Sequence, residues 1–475
     1  MLGTPRFRLI AGVMVLGMLA IAGGVFADDG AEDGAMAAMR QEMAALRNEV
    51  AQMRAAKGES WLNERRAEEV KALVREVLSD AETRASLLDS SMTAGHNGKH
   101  FYLASADGNY LMEIDGQFMF RHIWNDRGGI DGTAGNKVDG NAEGFQLRRT
   151  KLGFSGHAID PKLTYKIKFE FSRATGAAAL EEGWIAYEVA DGLKLKAGLF
   201  YPQFTREEMV SSSKQQAVER SITNDLFTID YTQGVALEYA GALGGIPVQA
   251  AVTIHDGSNE VTKDFNADAV DFAIAARIQA ALLGKMKQFD DFATWSGDSP
   301  GLLVGGGFDY EMGEHAYAAL AAGQNTDTFK WTVDASLEMP GLAQANLFVA
   351  LYGAHTNNYS TTTPLGDQDM MGLVVQGGLF VIPDKMDVFG RYEYMDLDNQ
   401  NPAMHRPDTI SMVTVGTNYY IKKHDLKATL DVICVLDRLD NRAPNAAIGN
   451  QTGSGILSNS AAGQVALRAQ MQLLF

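Results

Sequence analysis

The sequence predicts an all-β protein, a 16-stranded antiparallel transmembrane β-barrel that follows an N-terminal helical segment. Three observations support this fold class. Apolar and polar residues alternate with a period of two in sixteen segments after about residue 110. Short and long connections alternate between these segments, as on the two rims of a membrane barrel. The final segment, GQVALRAQMQLLF, is itself amphipathic and ends on an aromatic residue.

Residues 1–27 are typical of an export signal. Arg6 and Arg8 precede an uncharged apolar stretch, and Val25-Phe26-Ala27 places small residues before Asp28. The alternative is a permanent transmembrane helix, because Leu9 to Ala27 comprises 19 uncharged residues. The acidic residues that follow, and the Gly and Ala content of the stretch, favour a cleaved signal.

Residues 28–90 have a helical pattern. Apolar residues recur at alternating spacings of three and four over about three heptads: Met36, Met39, Met43, Leu46, Val50 and Met53. A second helical stretch follows around Val70 to Leu78. We expect a coiled-coil-like arm, with a single amphipathic helix as the alternative reading. Residues 91–108 are then expected to form a linker, and residues 109–475 the barrel.

The sixteen strands are predicted from period-two alternation. In LTYKIKFEF (residues 163–171) the apolar and the polar side chains fall on opposite faces. The segment FKWTVDASLE (residues 329–338) shows the same alternation. The strands begin near residues 111, 144, 162, 180, 192, 231, 247, 269, 301, 327, 342, 369, 385, 409, 424 and 463.

Two connections depart from the alternation of lengths. The connection at 174–178 is short where a long loop is expected, and the one at 281–300 is long where a tight turn is expected. A soluble sandwich would also alternate, with its apolar face buried. The number of strands, and the many charges on the polar face, favour a barrel with its apolar face in lipid and a wet lumen.

The composition excludes some classes of function. The formal net charge of −18 argues against a nucleic-acid partner, since phosphate backbones are bound by clustered positive charge. The nine histidines are scattered and no G-x-S-x-G motif is present, so we expect neither an enzyme nor a cofactor or metal. One cysteine, Cys434, permits no internal disulfide.

Five segments resemble the phosphate-selective porins of the O and P type, in the order of that family. They are FQLRRTKLGFSG (145–156), LKLKAGLFYPQFTREE (193–208), SSSKQQAVERS (211–221), VVQGGLFVIPDKMDVFGRYEYMDLD (374–398) and TVGTNYYIKKHDLKATLDV (414–432). The resemblance covers about residue 110 to the end. It implies a trimeric outer-membrane channel whose third loop, about 205–229, folds into the pore. It also implies basic residues that bind phosphate-like anions there.

Candidate pore residues follow from the inward face and from the resemblance. The strands around residues 144–200 carry more Lys and Arg than Glu on the expected inward face. The third loop adds three basic residues, but Glu207, Glu208 and Glu219 balance them, so the loop is not strongly basic. The candidate anion contacts are Arg148, Arg149, Lys151, Lys166, Lys168, Lys194, Lys196, Arg206, Lys214 and Arg220. Arg148 and Arg149 are adjacent, so a regular strand points only one of them inward. The alternative role of the inward lysines is to pair with glutamates across strands.

These features predict an outer-membrane porin for passive diffusion of small hydrophilic solutes, with a modest preference for anions such as phosphate. The alternatives are a general non-selective porin, or a barrel whose arm mainly tethers the outer membrane to the cell wall. The expected partners are outer-membrane lipid, small anions and two further copies of the chain.

The end of the sequence carries a last expectation. An even number of strands places both ends of a barrel on one side, so we expect the arm and the C-terminus to be periplasmic. The terminal Phe475 is also similar to the recognition signal read by the outer-membrane assembly machinery.

Overall fold

The structure is a computed structural model. It describes residues 92–127, 130–131, 137–138, 140–258, 270–313, 324–360, 367–398, 409–439, 453–457 and 463–475, with isolated positions 44, 45, 48 and 71. The expected signal segment, and the expected arm apart from those four positions, lie outside the described residues.

Sixteen long strands form one compact unit, and all sixteen predicted strands are present. We number them β1 to β16: Leu111–Asp126, Ala142–Ala158, Asp160–Phe171, Ala178–Ala190, Leu193–Phe200, Thr232–Leu243, Ile246–His255, Phe272–Leu283, Gly301–Gly313, Gln324–Met339, Ala345–Ser360, Gln368–Ile382, Met386–Asp396, Thr409–Lys422, Leu426–Val435 and Gln464–Leu474.

The sheet closes on itself. Each strand pairs antiparallel with the next, and β16 returns to β1 with Val465 opposite Asp126 and Leu474 opposite Gln117. Backbone hydrogen bonds of 2.7 and 3.1 Å between Gly116 and Phe475 extend this seam. Closure satisfies the strand edges that lipid would leave unpaired. The predicted 16-stranded antiparallel barrel is therefore confirmed.

The two faces of the barrel are inverted relative to a soluble protein. On β10, Val333 is 56% exposed whereas its neighbour Asp334 is 4% exposed. On β8, Ile278 is 56% exposed whereas Arg277 is 3% exposed. A sandwich would bury the apolar face. The exposed apolar face and enclosed polar face exclude that alternative.

The connections distinguish a loop rim, which carries the long loops, from a turn rim, which carries the short turns. Both exceptions noted in the sequence occur. Residues 172–177 close a short turn on the loop rim, with Ser172 N–H bonded to the Ala177 carbonyl at 2.8 Å. Residues 284–300 form a long connection on the turn rim, between β8 and β9.

A short hairpin precedes the barrel. Its strands Thr93–His96 and Phe101–Ala104 lie in the segment expected as a linker, and Phe101 pairs with Ile114 at the start of β1. The hairpin therefore adds to the sheet at the turn rim, beside the seam with β16.

Candidate functional site in the barrel lumen

The third loop, residues 201–231, folds into the lumen. It contains the short helix α1 (Arg206–Met209), a 3₁₀ turn (Ser212–Lys214) and helix α2 (Ile222–Phe227). Ser221 caps α2, because its hydroxyl accepts a hydrogen bond from the Asn224 N–H at 2.9 Å. Most side chains of this loop are buried although loops normally lie on the surface.

Polar side chains of the wall bind the backbone of this loop. Lys427 on β15 donates to the Gln215 carbonyl at 2.6 Å, and Arg391 on β13 donates to the Glu219 carbonyl at 2.9 Å. The Val218 N–H donates to Asp431 at 3.0 Å. Buried hydrogen bonds to charged groups are among the stronger ones, so the loop is firmly attached to β13–β15.

An apolar core also holds the loop to this wall. Ile222 and Leu226 of α2 pack on inward-facing Met412 of β14 and Ile433 of β15. A second cluster joins Phe227 to β11 and β12, with side chains Phe348, Tyr352 and Val374. Apolar side chains replace polar ones on the inner face where the loop covers them. The lumen next to β11–β16 is therefore filled.

The long connection on the turn rim crosses beneath the third loop. We call residues 286–298 the strap. Its Phe292 packs on Phe348 of β11 with ring centroids 5.0 Å apart, and Trp295 packs on Tyr420 of β14 at 5.1 Å. The Ser296 N–H donates to Asp384, in the turn between β12 and β13, at 2.9 Å. The strap thus reaches from β8 to the turns of the filled side.

A cavity of about 790 Å³ remains against the opposite wall. It is bounded by β2, β3, β4, the third loop and the strap, with Gln249 of β7 and Gln279 of β8 completing the lining. Its basic lining residues are Arg148, Arg149, Lys151, Lys166, Lys168, Arg173, Arg206, Lys214 and Arg220, and its acidic ones are Glu170, Glu181, Glu182, Glu208, Glu219, Asp225, Asp230 and Asp290. The lining is therefore rich in both charges, with one more base than acids.

Three arginines converge on Glu219 at one end of this cavity. The nearest nitrogens of Arg121, Arg148 and Arg149 lie 2.5, 2.6 and 2.8 Å from the Glu219 carboxylate. Burial alone would raise the pKa of Glu219, but the arginines outweigh it and hold that pKa well below its usual range. The cluster retains more positive than negative charge.

A β-bulge explains how both adjacent arginines reach Glu219. Opposite β1, Met119 pairs with Arg149 and Phe120 pairs with Leu147, so Arg148 is the extra residue. The expectation that only one of the two arginines points inward is wrong. It assumed unbroken alternation, which a bulge interrupts.

The lysines of the same wall are paired with glutamates. Lys166 lies 2.8 Å from Glu182, Lys168 lies 3.1 Å from Glu181, and Lys151 contacts Glu181. A second bulge, at Glu181, turns this side chain to the same side as Glu182. The sequence alternation placed only Glu182 inward, so Glu181 was missed. The structure therefore shows these lysines in cross-strand pairs, which was the alternative role given to them.

Arg206 has a different environment. It is 4% exposed, it donates to the Phe289 carbonyl of the strap, and its guanidinium lies 5.5 Å from the Phe292 ring. Within the described part of the chain it forms no ion pair with a carboxylate, and its Nε has no hydrogen-bond partner. Burial lowers the pKa of Arg206 to about 10, so the guanidinium stays charged at neutral pH.

The structure brings together eight of the ten candidate residues in the cavity lining: Arg148, Arg149, Lys151, Lys166, Lys168, Arg206, Lys214 and Arg220. Lys194 and Lys196 are not among the lining residues. Lys196 lies 3.3 Å from Glu238 and over the Trp184 ring. The lining acids Asp225 and Asp230 were not singled out, because the loop sequence alone does not show which way they point.

Among the described residues, no group of three or more His, Cys, Asp or Glu side chains is arranged to hold a metal ion. In the same set of residues, each helix is too short or too polar to cross a membrane.

Comparisons with known proteins agree with this architecture. Residues 117–456 match the family described as phosphate-selective porin O and P. Among solved structures, an anion-selective porin from Comamonas acidovorans is 12% identical with a TM-score of 0.50, covering 77% of this chain and 99% of that one. The outer membrane channel DcaP of Acinetobacter baumannii is 12% identical with a TM-score of 0.50, covering 76% and 97%. No curated protein sequence matches.

At this identity the solved structures support the barrel fold alone, whereas the family match spans most of the chain. The matched residues, 117–456, include the wall segments and the third loop that bound the cavity. The chain therefore belongs to the phosphate-selective porin O and P family and is an outer-membrane porin.

Proposed function

We propose that this porin passes small hydrophilic solutes by passive diffusion through the cavity between the third loop and β2–β4, with a modest preference for anions such as phosphate. The observation that carries the proposal is the cluster at Glu219, where one carboxylate faces Arg121, Arg148 and Arg149. Two unit charges 4 Å apart attract by about 1 kcal/mol in water and by about 4 kcal/mol at an effective dielectric of 20. An anion beside this cluster is therefore stabilised.

The proposed contacts are the eight candidate residues that line the cavity. Arginine suits the phosphate-contacting role because its planar guanidinium donates two parallel hydrogen bonds, whereas a lysine acts as a point charge. Lys151, Lys166 and Lys168 are paired with glutamates, so we assign these three weak, exchangeable contacts that let the anion leave. Lys194 and Lys196 contribute only to the overall potential of the wall.

The test is ion selectivity in planar bilayers. Purified protein would be recorded in a KCl gradient, and chloride conductance would then be measured with added phosphate. We expect an anion-selective reversal potential, partial block by phosphate, and loss of both in the double variant R148Q/R149Q. A cation-selective sign that phosphate does not alter would overturn the anion preference.

A matched control removes the same charge elsewhere. Lys162 and Lys422 are exposed at the turn rim, so K162Q/K422Q changes the net charge equally without touching the cavity. Its reversal potential should equal that of the native protein. Both variants should first be shown to form a barrel that resists unfolding in SDS until heated.

A general non-selective porin is the second candidate function. The near balance of nine basic and eight acidic residues in the lining favours it. Under that function the native reversal potential lies close to zero, and R148Q/R149Q shifts it little.

The finer assignments remain proposals of the same kind. We propose that residues 1–27 are a cleaved signal, that residues 28–90 form a periplasmic coiled-coil arm, that the turn rim faces the periplasm, and that the porin is a homotrimer. We also propose that the arm contacts the cell wall. Deleting residues 28–90 should leave conductance intact and weaken trimers; an unchanged trimer would reject an oligomerising arm.

A further inference from the structure

Two carboxylates on the loop side of the cavity lack a cationic partner. Glu208, next to them, is paired with Arg220 at 3.1 Å and accepts a hydrogen bond from Asn224 at 3.3 Å. Asp225 and Asp230 line the same cavity, yet neither forms an ion pair with any residue in the described ranges. Asp225 is exposed to the lumen and Asp230 is half-buried. Their charges are therefore open to a passing ion.

The local structure fixes the backbone that carries both carboxylates. Asp225 lies in helix α2, which is fixed at its start by the Ser221 cap and along its length by Ile222 and Phe227. Asp230 has a positive φ of 61° between the end of α2 and the start of β6. This left-handed conformation is uncommon for a residue other than glycine, although aspartate tolerates it better than most. The backbone at both positions is therefore fixed beside the cavity.

We propose that Asp225 and Asp230 are selectivity-determining residues, which limit the anion preference of the pore by opposing the basic wall across the same cavity. The inference rests on the proposed function only in taking this cavity as the conducting path. A fixed negative charge repels a passing anion by the same Coulomb term with which an arginine attracts it. Removing either charge therefore favours chloride over potassium.

The same geometry makes the effect depend on pH. Asp230 is faced by Glu208 from α1, by Arg220 from the segment before α2, by Asp225 from α2 and by Glu181 from β4. Enclosure in the lumen, together with the charge of Glu208, raises the pKa of Asp230 to about 6, against the opposing effect of Arg220. The same two causes raise the pKa of Asp225 to about 8, so that carboxylate carries its full charge only in more alkaline solution. As the pH falls through about 6 the Asp230 carboxylate takes up a proton. The opposing negative charge is then lost, and the preference for anions increases.

The test is the permeability ratio of chloride to potassium for the full-length porin and the variants D225N and D230N. Reversal potentials in a tenfold KCl gradient would be measured at pH 9 and at pH 5. At pH 9, above the pKa of about 8 for Asp225 and of about 6 for Asp230, we expect each variant to raise the ratio by about twofold to fivefold. The native ratio should rise between pH 9 and pH 5, and each variant should show a smaller rise. Asparagine preserves the side-chain shape, so the loop should stay folded.

The control is D191N, which removes an equal charge from an exposed residue in the turn between β4 and β5. It should match the native protein at both pH values. Unchanged ratios in both D225N and D230N would overturn the inference. If R148Q/R149Q still abolishes anion preference in that case, the proposed function survives; if none of the variants alters selectivity, the cavity is not the conducting path and both proposals fail.

Discussion

At the scale of single residues, Glu219 joins the third loop to the barrel wall. Its carboxylate forms ion pairs with Arg121, Arg148 and Arg149, while its backbone carbonyl accepts a hydrogen bond from Arg391. One residue thus ties the third loop to β1 and β2 through its carboxylate and to β13 through its backbone carbonyl. Breaking a buried ion pair by removing one partner leaves uncompensated charge, which costs about 3 to 5 kcal/mol.

We therefore expect E219Q to destabilise the loop and to lower the thermal unfolding temperature of the detergent-solubilised barrel. The matched control E170Q removes a half-buried carboxylate that lies farther from its partners, 3.4 Å from Lys151 and 3.9 Å from Arg148. The control should shift the unfolding temperature much less. Equal shifts in the two variants would contradict the anchoring role of Glu219.

The pH dependence of this anchor has a definite sign. The folded pKa of Glu219 lies well below its usual range because the three arginines outweigh burial. Its stabilisation is therefore fully present above the unfolded value of about 4.3, and is lost as the pH falls through the folded pKa. We expect the native loop to resist proteolysis at pH 4, with loss of protection only in more acidic solution. E219Q should lack this acid transition.

At the scale of elements, the strap decides which part of the lumen is open. The sequence shows only that the connection at 281–300 is too long for a turn. Its direction comes from packing: Trp295 contacts Phe380, Tyr420 and His424, which belong to strands or turns far away in sequence. Together with the third loop, the strap fills the side of the lumen next to β11–β16.

We expect W295A to loosen the strap and to raise single-channel conductance, because truncating a buried tryptophan removes packing worth about 3 to 5 kcal/mol. Ion selectivity should change little, since Trp295 is not part of the charged cavity lining. The control W331A removes a tryptophan that packs over Gly353 on the outer face of β10. Its conductance should equal the native value; a W295A pore with native conductance and noise would reject the strap as a constriction.

At the scale of the whole molecule, the barrel depends on its seam between β16 and β1. Phe475 exchanges two backbone hydrogen bonds with Gly116, and its ring covers that glycine. A Cβ atom at position 116 would lie 2.2 Å from the ring, well inside van der Waals contact. The absence of a side chain at Gly116 therefore leaves room for the Phe475 ring. We propose that Phe475 also serves as the assembly signal.

We expect G116A to displace the Phe475 ring and to lower the yield of folded barrel, since overpacking costs about 1 to 3 kcal/mol. Deleting Phe475 should lower the yield in the same way, and the two changes together should not add. In the control G390A, a Cβ on β13 would meet its nearest atom at 4.0 Å, so folding should be native. The readout is the fraction of protein in the outer membrane that shifts on heating in SDS. If the losses of folded barrel in G116A and in the Phe475 deletion add, the two residues do not act at the same contact.

Much of the fold follows from local pattern, because in a barrel the polar and apolar faces of each strand are determined by position along that strand. All sixteen strands, both irregular connections and the inward charges of regularly alternating strands were therefore predictable. The bulges at Arg148 and Glu181 were not, since an extra residue is determined by the register with the neighbouring strand.

The sequence by itself determined the barrel, its polar lumen and eight of the residues that line the cavity. Only the tertiary structure decided where that cavity lies, which residues neutralise one another, and that Asp225 and Asp230 share it with the arginines. The physical reason is that ion pairing and burial inside the lumen depend on contacts between separate elements, such as the 98 positions between Arg121 and Glu219 and the 212 between Gln215 and Lys427. The third loop and the strap make those contacts only inside the closed barrel.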